Sequence, residues 1–164
     1  MIYRNYNSNK RYEDLVKIAS ICKKRNYHLF VSNDIRLALK IKADGIYIPS
    51  LNKIGVNYLN LDKKNFLIMG SAHNQKEINE KIKQNCKIIF LSPLFQTSKY
   101  RKNKYLGIAK FNLLTLKNNT IFYALGGIKE QNLSKLKILN AGGFGGVNIF
   151  QKKTGLKNIG RFFK

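Results

Sequence analysis

The sequence predicts an α/β fold, a TIM-type (β/α)8 barrel of which this chain carries seven strands. Two observations predict it. Short apolar runs alternate strictly with longer amphipathic stretches, the pattern of parallel βαβ units with right-handed crossovers. In addition, residues able to hold a ligand sit just past almost every predicted strand: Arg4-Asn5, Ser32-Asn33-Asp34, Ser71-Ala72-His73, Ser92-Pro93, Gly126-Gly127 and Asn148. A barrel gathers its site in this way, at one mouth and from many strands. A doubly wound sheet would concentrate such groups at one or two switch-point loops. Neither GxGxxG nor GxxxxGK[ST] occurs, which weakens dinucleotide and P-loop readings. A usual barrel has eight strands, and this chain opens on one. The expectation is a single domain over residues 1–164 in which the first βα unit is lacking or shortened.

The strands are predicted at Ile2–Arg4, His28–Val31, Gly45–Ile48, Phe66–Gly70, Ile88–Leu91, Ile121–Leu125 and Gly145–Ile149. Most are continuously apolar, as expected when both faces of a sheet are covered. Tyr12–Lys24 is a helix because Leu15, Ile18, Ala19 and Cys22 share one face. Asp34–Lys42 follows with Leu37, Ala38 and Ile41. The stretch Asn74–Gln84 opens on an asparagine cap with Glu77 three residues on, and buries Ile78 and Ile82. Ala109–Leu116 is a short helix, Glu130–Leu139 carries Leu133, Leu136 and Leu139, and Leu156–Phe163 is the last. Leu51–Lys64 is polar and reads as a loop.

Composition narrows the class. With 164 residues, 44% of them hydrophobic, the chain can bury an ordinary core. No apolar run reaches the roughly 20 residues of a membrane helix, and MIYRNYNSNK lacks an export-type apolar segment, so a cytoplasmic place is expected with no membrane partner. Cys22 and Cys86 have no metal-ligand spacing and read as reduced, buried thiols. The net charge of +23 invites a nucleic-acid reading, but the lysines are scattered and no binding signature accompanies them. Lys, Asn and Ile together are what AT-rich codons supply. Such a field still attracts small phosphate and pyrophosphate esters. A homo-oligomer stays open.

The ordered series SND, ADGIYIP, GSAHN, LSPLFQTSK, LG, YALGGI and GGFGGVNI resembles the thiamine-phosphate synthase/TenI family, in a short, divergent bacterial branch. The likeness runs from Ile2 to about Phe150 and begins at what would be the family's second strand. It implies a transferase that joins hydroxymethylpyrimidine pyrophosphate to thiazole phosphate, with Mg²⁺ and basic residues stabilising the departing pyrophosphate.

The resemblance also implies roles. Arg4 matches the arginine of the family's Gln-x-Arg-x-Lys, although Ile2 and Tyr6 replace its neighbours. Asn33 would hold pyrophosphate and Asp34 the metal; both also suit a helix N-cap. Pro49-Ser50-Leu51-Asn52 stands where a second metal carboxylate is expected, so Mg²⁺ binding would be weak. Ser71 is the serine of Ser-x-His, with His73 as its orienting neighbour. Thr97 and Lys99 correspond to the groups that grip phosphate in the sixth loop, with the spacing one residue shorter. Gly126 and Gly127 would bring backbone amides to the thiazole phosphate, joined by Gly146 and Asn148, while Phe150 stands where the family has serine. Ser71, Thr97 and Lys99 are thus the catalytic candidates. Two other readings stay open. One is a TenI-like relative that binds or isomerises a phosphorylated thiazole or pyrimidine, with Ser92-Pro93 where that branch places a histidine. The other is a basic barrel that binds polyanions or nucleic acid.

Overall fold

A computed structural model describes residues 1–6, 9–53, 66–97 and 104–146. Its elements are β1 (Ile2–Tyr3), α1 (Arg11–Lys24), β2 (Phe30–Ser32), α2 (Ile35–Lys40), β3 (Gly45–Ile48), β4 (Leu67–Ala72), α3 (Gln75–Lys83), β5 (Ile88–Leu91), α4 (Gly107–Thr115), β6 (Ile121–Leu125), a 3₁₀ helix (Glu130–Ile138) and β7 (Gly143–Gly145). The seven strands form one sheet in the order β1-β2-β3-β4-β5-β6-β7, and every neighbouring pair is parallel. A doubly wound sheet reverses its strand order part-way. This sheet never does, so right-handed crossovers put every helix on the same side and the sheet curls about the other.

Strand alternation separates the two faces. Ile46, Ile48, Ile68, Ile89, Leu91, Phe122 and Ala124 pack with Ile78 of α3 and Phe111 of α4. Tyr3, Leu29 and Val31 pack with Leu15 and Cys22 of α1 and Ala38 of α2. These residues form the outer, helix-covered layer. The opposite face is filled by strand residues alone: Phe30, Tyr47 and Met69, with Ile2, Leu67, Ile88 and Phe90. The Tyr47 and Phe90 rings meet edge to face at 6.2 Å across β4, and Phe90 meets Tyr123 at 5.5 Å. Contact between alternate strands on one face is what a concave sheet produces.

β3, β5 and β6 fall where the sequence predicts them; β1, β2 and β4 shift by one or two residues at their ends. Ile82, expected to be buried on α3, is 39% exposed; Ile78 and Lys81 take the inner face there. Two expectations about elements also need correction. The predicted α-helix Glu130–Leu139 is a 3₁₀ helix over Glu130–Ile138. Its leucines are spaced by three, at 133, 136 and 139, which matches three residues per turn better than 3.6. The last strand was expected at Gly145–Ile149, but pairing with β6 begins at Gly143. The expected helix Leu156–Phe163 lies outside the described residues, as does most of the Leu51–Lys64 loop. Among the described residues no helix is long and apolar enough to cross a membrane.

Both cysteines are buried free thiols. Burial pushes the Cys86 thiol from 9.0 up to about 12. Native protein is therefore expected to resist thiol reagents at pH 8 and to react at both cysteines once unfolded, measured by labelling with and without urea. The sign of the pH effect follows. Between pH 9 and about 12 the unfolded thiol ionises while the folded one keeps its proton, so stability falls as pH rises through that window. Lys81, whose pKa burial lowers from 10.5, works in the opposite sense and reduces the fall.

Candidate active site

Every α-helix here starts where a strand ends, so the strand C-termini share one mouth. Its best-defined part lies between β5 and β6. The chain leaves β5 through Ser92-Pro93, and the loop is pinned to the end of β6: Leu94 N–H donates to Leu125 O at 2.8 Å and Phe95 N–H to Gly126 O at 3.1 Å. The loop's return is fixed by Leu106 N–H on Pro93 O and Gly107 N–H on Leu94 O, both at 2.9 Å. Thr97, at the far end of this pinned stretch, has a buried hydroxyl with no hydrogen-bond partner among the described residues. Such a group is desolvated without compensation. Its side of the mouth is suited to receive an acceptor.

Gly126 and Gly127 take φ of +90° and +71°. Packing as well as φ requires glycine at the second: a Cβ on Gly127 would lie 2.4 Å from Phe95 O and 2.7 Å from Gln96 O. Their carbonyls are used, Gly126 O by Phe95 N–H and Gly127 O by Asn132 Nδ2 at 2.9 Å. In a trans peptide the N–H points opposite to its carbonyl. The Gly127 and Ile128 N–H groups are thereby turned away from the loop and from Asn132. Gly146 follows β7 directly, and the Leu125–Gly145 register puts it beside Gly126. Asn148 and Lys99 lie outside the described residues.

The β1–β4 side carries the remaining predicted residues. Asn33 has φ of +61°, which lets the chain turn sharply from β2 into α2. Its side-chain oxygen accepts a short hydrogen bond from Asn52 Nδ2. Ser71, buried at the end of β4, accepts the Ser50 N–H at 3.0 Å. Arg4 is exposed, with its guanidinium carbon 5.5 Å from the Tyr47 ring centre. Asp34 caps α2 through Oδ1, which accepts Leu37 N–H at 2.9 Å, while Oδ2 faces Arg11 Nη1 at 3.2 Å. His73 is tied down by Glu77 Oε2 on its backbone N–H at 2.8 Å and by Ser92 O, 2.7 Å from its Nδ1, which fits an orienting role. Asn74 caps α3 as predicted, its Oδ1 accepting Glu77 N–H at 3.0 Å, while Glu77 Oε1 accepts Asn74 Nδ2 at 2.9 Å.

These donors fit a divalent ion poorly. Asp34 is the sole carboxylate in this group, and both its oxygens are engaged. Asn52 supplies an uncharged amide where a second carboxylate was expected. Among the described residues no three His, Cys, Asp or Glu side chains converge as a metal site would need.

Sequence reasoning missed two residues here. Arg11 opens α1 and reaches the mouth; no motif marks it. Lys81 looks like a solvated helix lysine but is fully buried. Its stem runs over Gly70, and its ammonium donates to Asn52 O at 2.7 Å and Gln84 Oε1 at 2.8 Å. Lys81 thus holds Asn52, which in turn holds Asn33. Lys81→Ala is expected to lower stability by about 2–4 kcal/mol in urea unfolding, through a cavity and a stripped carbonyl. Lys81→Met keeps the stem and should lose less.

The family's sequence pattern, described as Thiamine monophosphate synthase, matches residues 1–149. The chain belongs to this family. It is 30% identical over 135 residues to the thiamine-phosphate synthase of Prochlorococcus marinus subsp. pastoris, covering 82% of this chain and 38% of that one. With the thiamine-phosphate synthase of Dictyoglomus turgidum it shares 29% identity over 138 residues, 81% of this chain and 59% of that protein. The chain thus spans between a third and three-fifths of the length of these curated relatives. Among solved structures, thiamine phosphate pyrophosphorylase from Pyrococcus furiosus superposes with a TM-score of 0.70 at 18% identity, over 90% of this chain and 70% of that one, which supports the fold. Family membership accounts for the order of the strand-end motifs around the mouth.

Proposed function

We propose that this chain carries the site of a thiamine-phosphate synthase-type transferase, acting on hydroxymethylpyrimidine pyrophosphate and thiazole phosphate. The observation that carries the reading is the pinned β5–α4 loop. On it a buried Thr97 hydroxyl, without a partner among the described residues, lies near glycines whose following N–H groups are turned away from the loop and from Asn132. In the proposed reaction the bond from the pyrimidine methylene carbon to the pyrophosphate oxygen breaks, and the oxygen keeps the electron pair. The thiazole nitrogen lone pair then forms the new C–N bond, giving the thiazolium product and free pyrophosphate.

The roles divide by where charge develops. Thr97, Lys99 and Ser71 serve the departing pyrophosphate, whose negative charge grows as the bond breaks. Arg4 and Asn33 hold it from the β1–β2 side. Gly126, Gly127 and Gly146, with Asn148, receive the thiazole phosphate on backbone N–H groups and an amide. β4 and β6 are two strands apart, roughly 10 Å at the usual spacing, which leaves room for two substrates side by side. Magnesium, if it takes part, would add charge neutralisation to the pyrophosphate. This donor set gives Asp34 little capacity to hold it, so the ion would be bound mainly by the substrate's oxygens.

The test is direct. Incubation with both substrates should yield thiamine phosphate and pyrophosphate in equal amounts. Tight binding of thiazole phosphate with no product would favour the second reading, a family member that binds a phosphorylated thiazole without transfer. The single engaged carboxylate is the observation on that side.

A further inference from the structure

We infer that Arg11 is a built-in cation for pyrophosphate, standing beside Asp34 where a divalent ion would otherwise have to bind. The inference rests on the pyrophosphate site proposed above. It is motivated by the mismatch between that site and a metal: one carboxylate, with one oxygen committed to capping α2 and the other to Arg11.

Arg11 is held firmly. Nη2 donates to Ser32 O at 2.9 Å and Nη1 to Asp34 Oδ2 at 3.2 Å. The guanidinium carbon lies 5.9 Å from the Tyr3 ring centre and 5.6 Å from that of Tyr6. The Tyr6 hydroxyl is in turn hydrogen-bonded to Ser32 Oγ. Among the described residues two of its five N–H donors have acceptors, and Nε is buried with none. The side chain remains one-fifth exposed.

A plain link between α1 and α2 would explain the contact with Asp34, but it does not explain the bond to Ser32 O. Arg11 is the first residue of α1 and follows Lys10 at the N-cap. The helix macrodipole makes that end positive, and Glu13 and Asp14 of the first turn offset it, so Arg11 is placed there for its reach to Ser32 and Asp34 and not for the helix end. Arg4 adds a second guanidinium at the end of the adjoining strand, over Tyr47, the residue in register with Ser32. Arg4 and Arg11 meet Asp34 at this corner, with Asp14 on the Tyr3 hydroxyl, and the two guanidiniums offer donors in the planar fork that suits phosphate oxygens. A phosphoryl group there would be gripped by the two guanidiniums without a metal.

Calorimetry with inorganic pyrophosphate, in EDTA or in excess Mg²⁺, tests this on the wild-type protein, Arg11→Gln, Arg11→Lys and Asp34→Asn. Wild type should bind pyrophosphate in EDTA within about threefold of its affinity in Mg²⁺. Arg11→Gln should lose tenfold or more in EDTA and recover part of it in Mg²⁺, because Asp34 Oδ2 becomes free. Adding Asp34→Asn should abolish that recovery, and Arg11→Lys should keep most of the EDTA affinity. Urea midpoints for each variant separate binding from folding. Wild-type binding that needs Mg²⁺, with the same Mg²⁺ dependence in Arg11→Gln, overturns the inference and leaves the pyrophosphate site standing. No pyrophosphate binding in either buffer overturns both. Metal-independent binding lost in Arg11→Gln, in a protein that forms no thiamine phosphate, upholds the inference and overturns the transferase reading alone.

Discussion

Replacing Gly127 by valine is expected to reduce thiazole-phosphate affinity by 100-fold or more and to lower the urea midpoint as well. The two losses share one cause. At φ of +71° an L-residue carries about 1–2 kcal/mol of strain. Its Cβ would also lie 2.4 Å from Phe95 O and 2.7 Å from Gln96 O, which are backbone atoms that no rotamer change can move. Either the β6 end or the 93–97 loop must shift. The hydrogen bonds from Leu94 to Leu125 O and from Phe95 to Gly126 O hold those two segments together, so a shift disturbs both halves of the mouth. Gly107 is the internal control: its φ is +67°, but nothing lies within 4 Å of an added Cβ. Gly107→Ala should show the strain without the collision and leave affinity nearly unchanged. Equal affinity in folded Gly127→Val and wild type would remove the glycine pair from the phosphate site.

The strands were legible where turns bound them and apolar residues fill both faces. Gly45–Ile48, Ile88–Leu91 and Ile121–Leu125 were read to the residue for that reason. β7 was not, because Gly142-Gly143-Phe144-Gly145 offers almost no side-chain pattern while the apolar run after it does. The mouth was legible as a set of strand ends, since parallel topology brings those ends together whatever their side chains do. The contacts inside it were not. Asp34 reads equally as a cap or a metal ligand until Arg11 is seen on its second oxygen. Lys81 has the sequence neighbourhood of an exposed lysine, and only the bare Gly70 on the adjoining strand makes room for its stem. Both depend on pairings between residues 11 or more positions apart, which local periodicity cannot carry.

Thr97→Val is expected to move stability and turnover in opposite directions. The Thr97 hydroxyl is buried and unpartnered among the described residues. Valine has nearly the same shape and no polar atom, so the ligand-free protein should hold its stability or gain up to about 1–2 kcal/mol. If the hydroxyl is held there for the leaving pyrophosphate, its loss removes a preorganised donor from the transition state. Such a loss typically raises the barrier by about 3–4 kcal/mol, or 10²–10³ in rate. Lys99→Ala should show a fall of the same order in turnover with thiazole-phosphate affinity nearly unchanged, because that ligand is proposed to sit on the glycines. Lys104, exposed and a few residues on, reports the general positive field instead. Its alanine variant should alter little beyond a salt-dependent change in encounter rate. Steady-state turnover at two salt concentrations, paired with urea unfolding of each variant, checks all three. A Thr97→Val protein that is both destabilised and fully active would mean that its hydroxyl serves the fold. Equal small losses in Lys99→Ala and Lys104→Ala would assign Lys99 to the +23 background charge and not to the departing pyrophosphate.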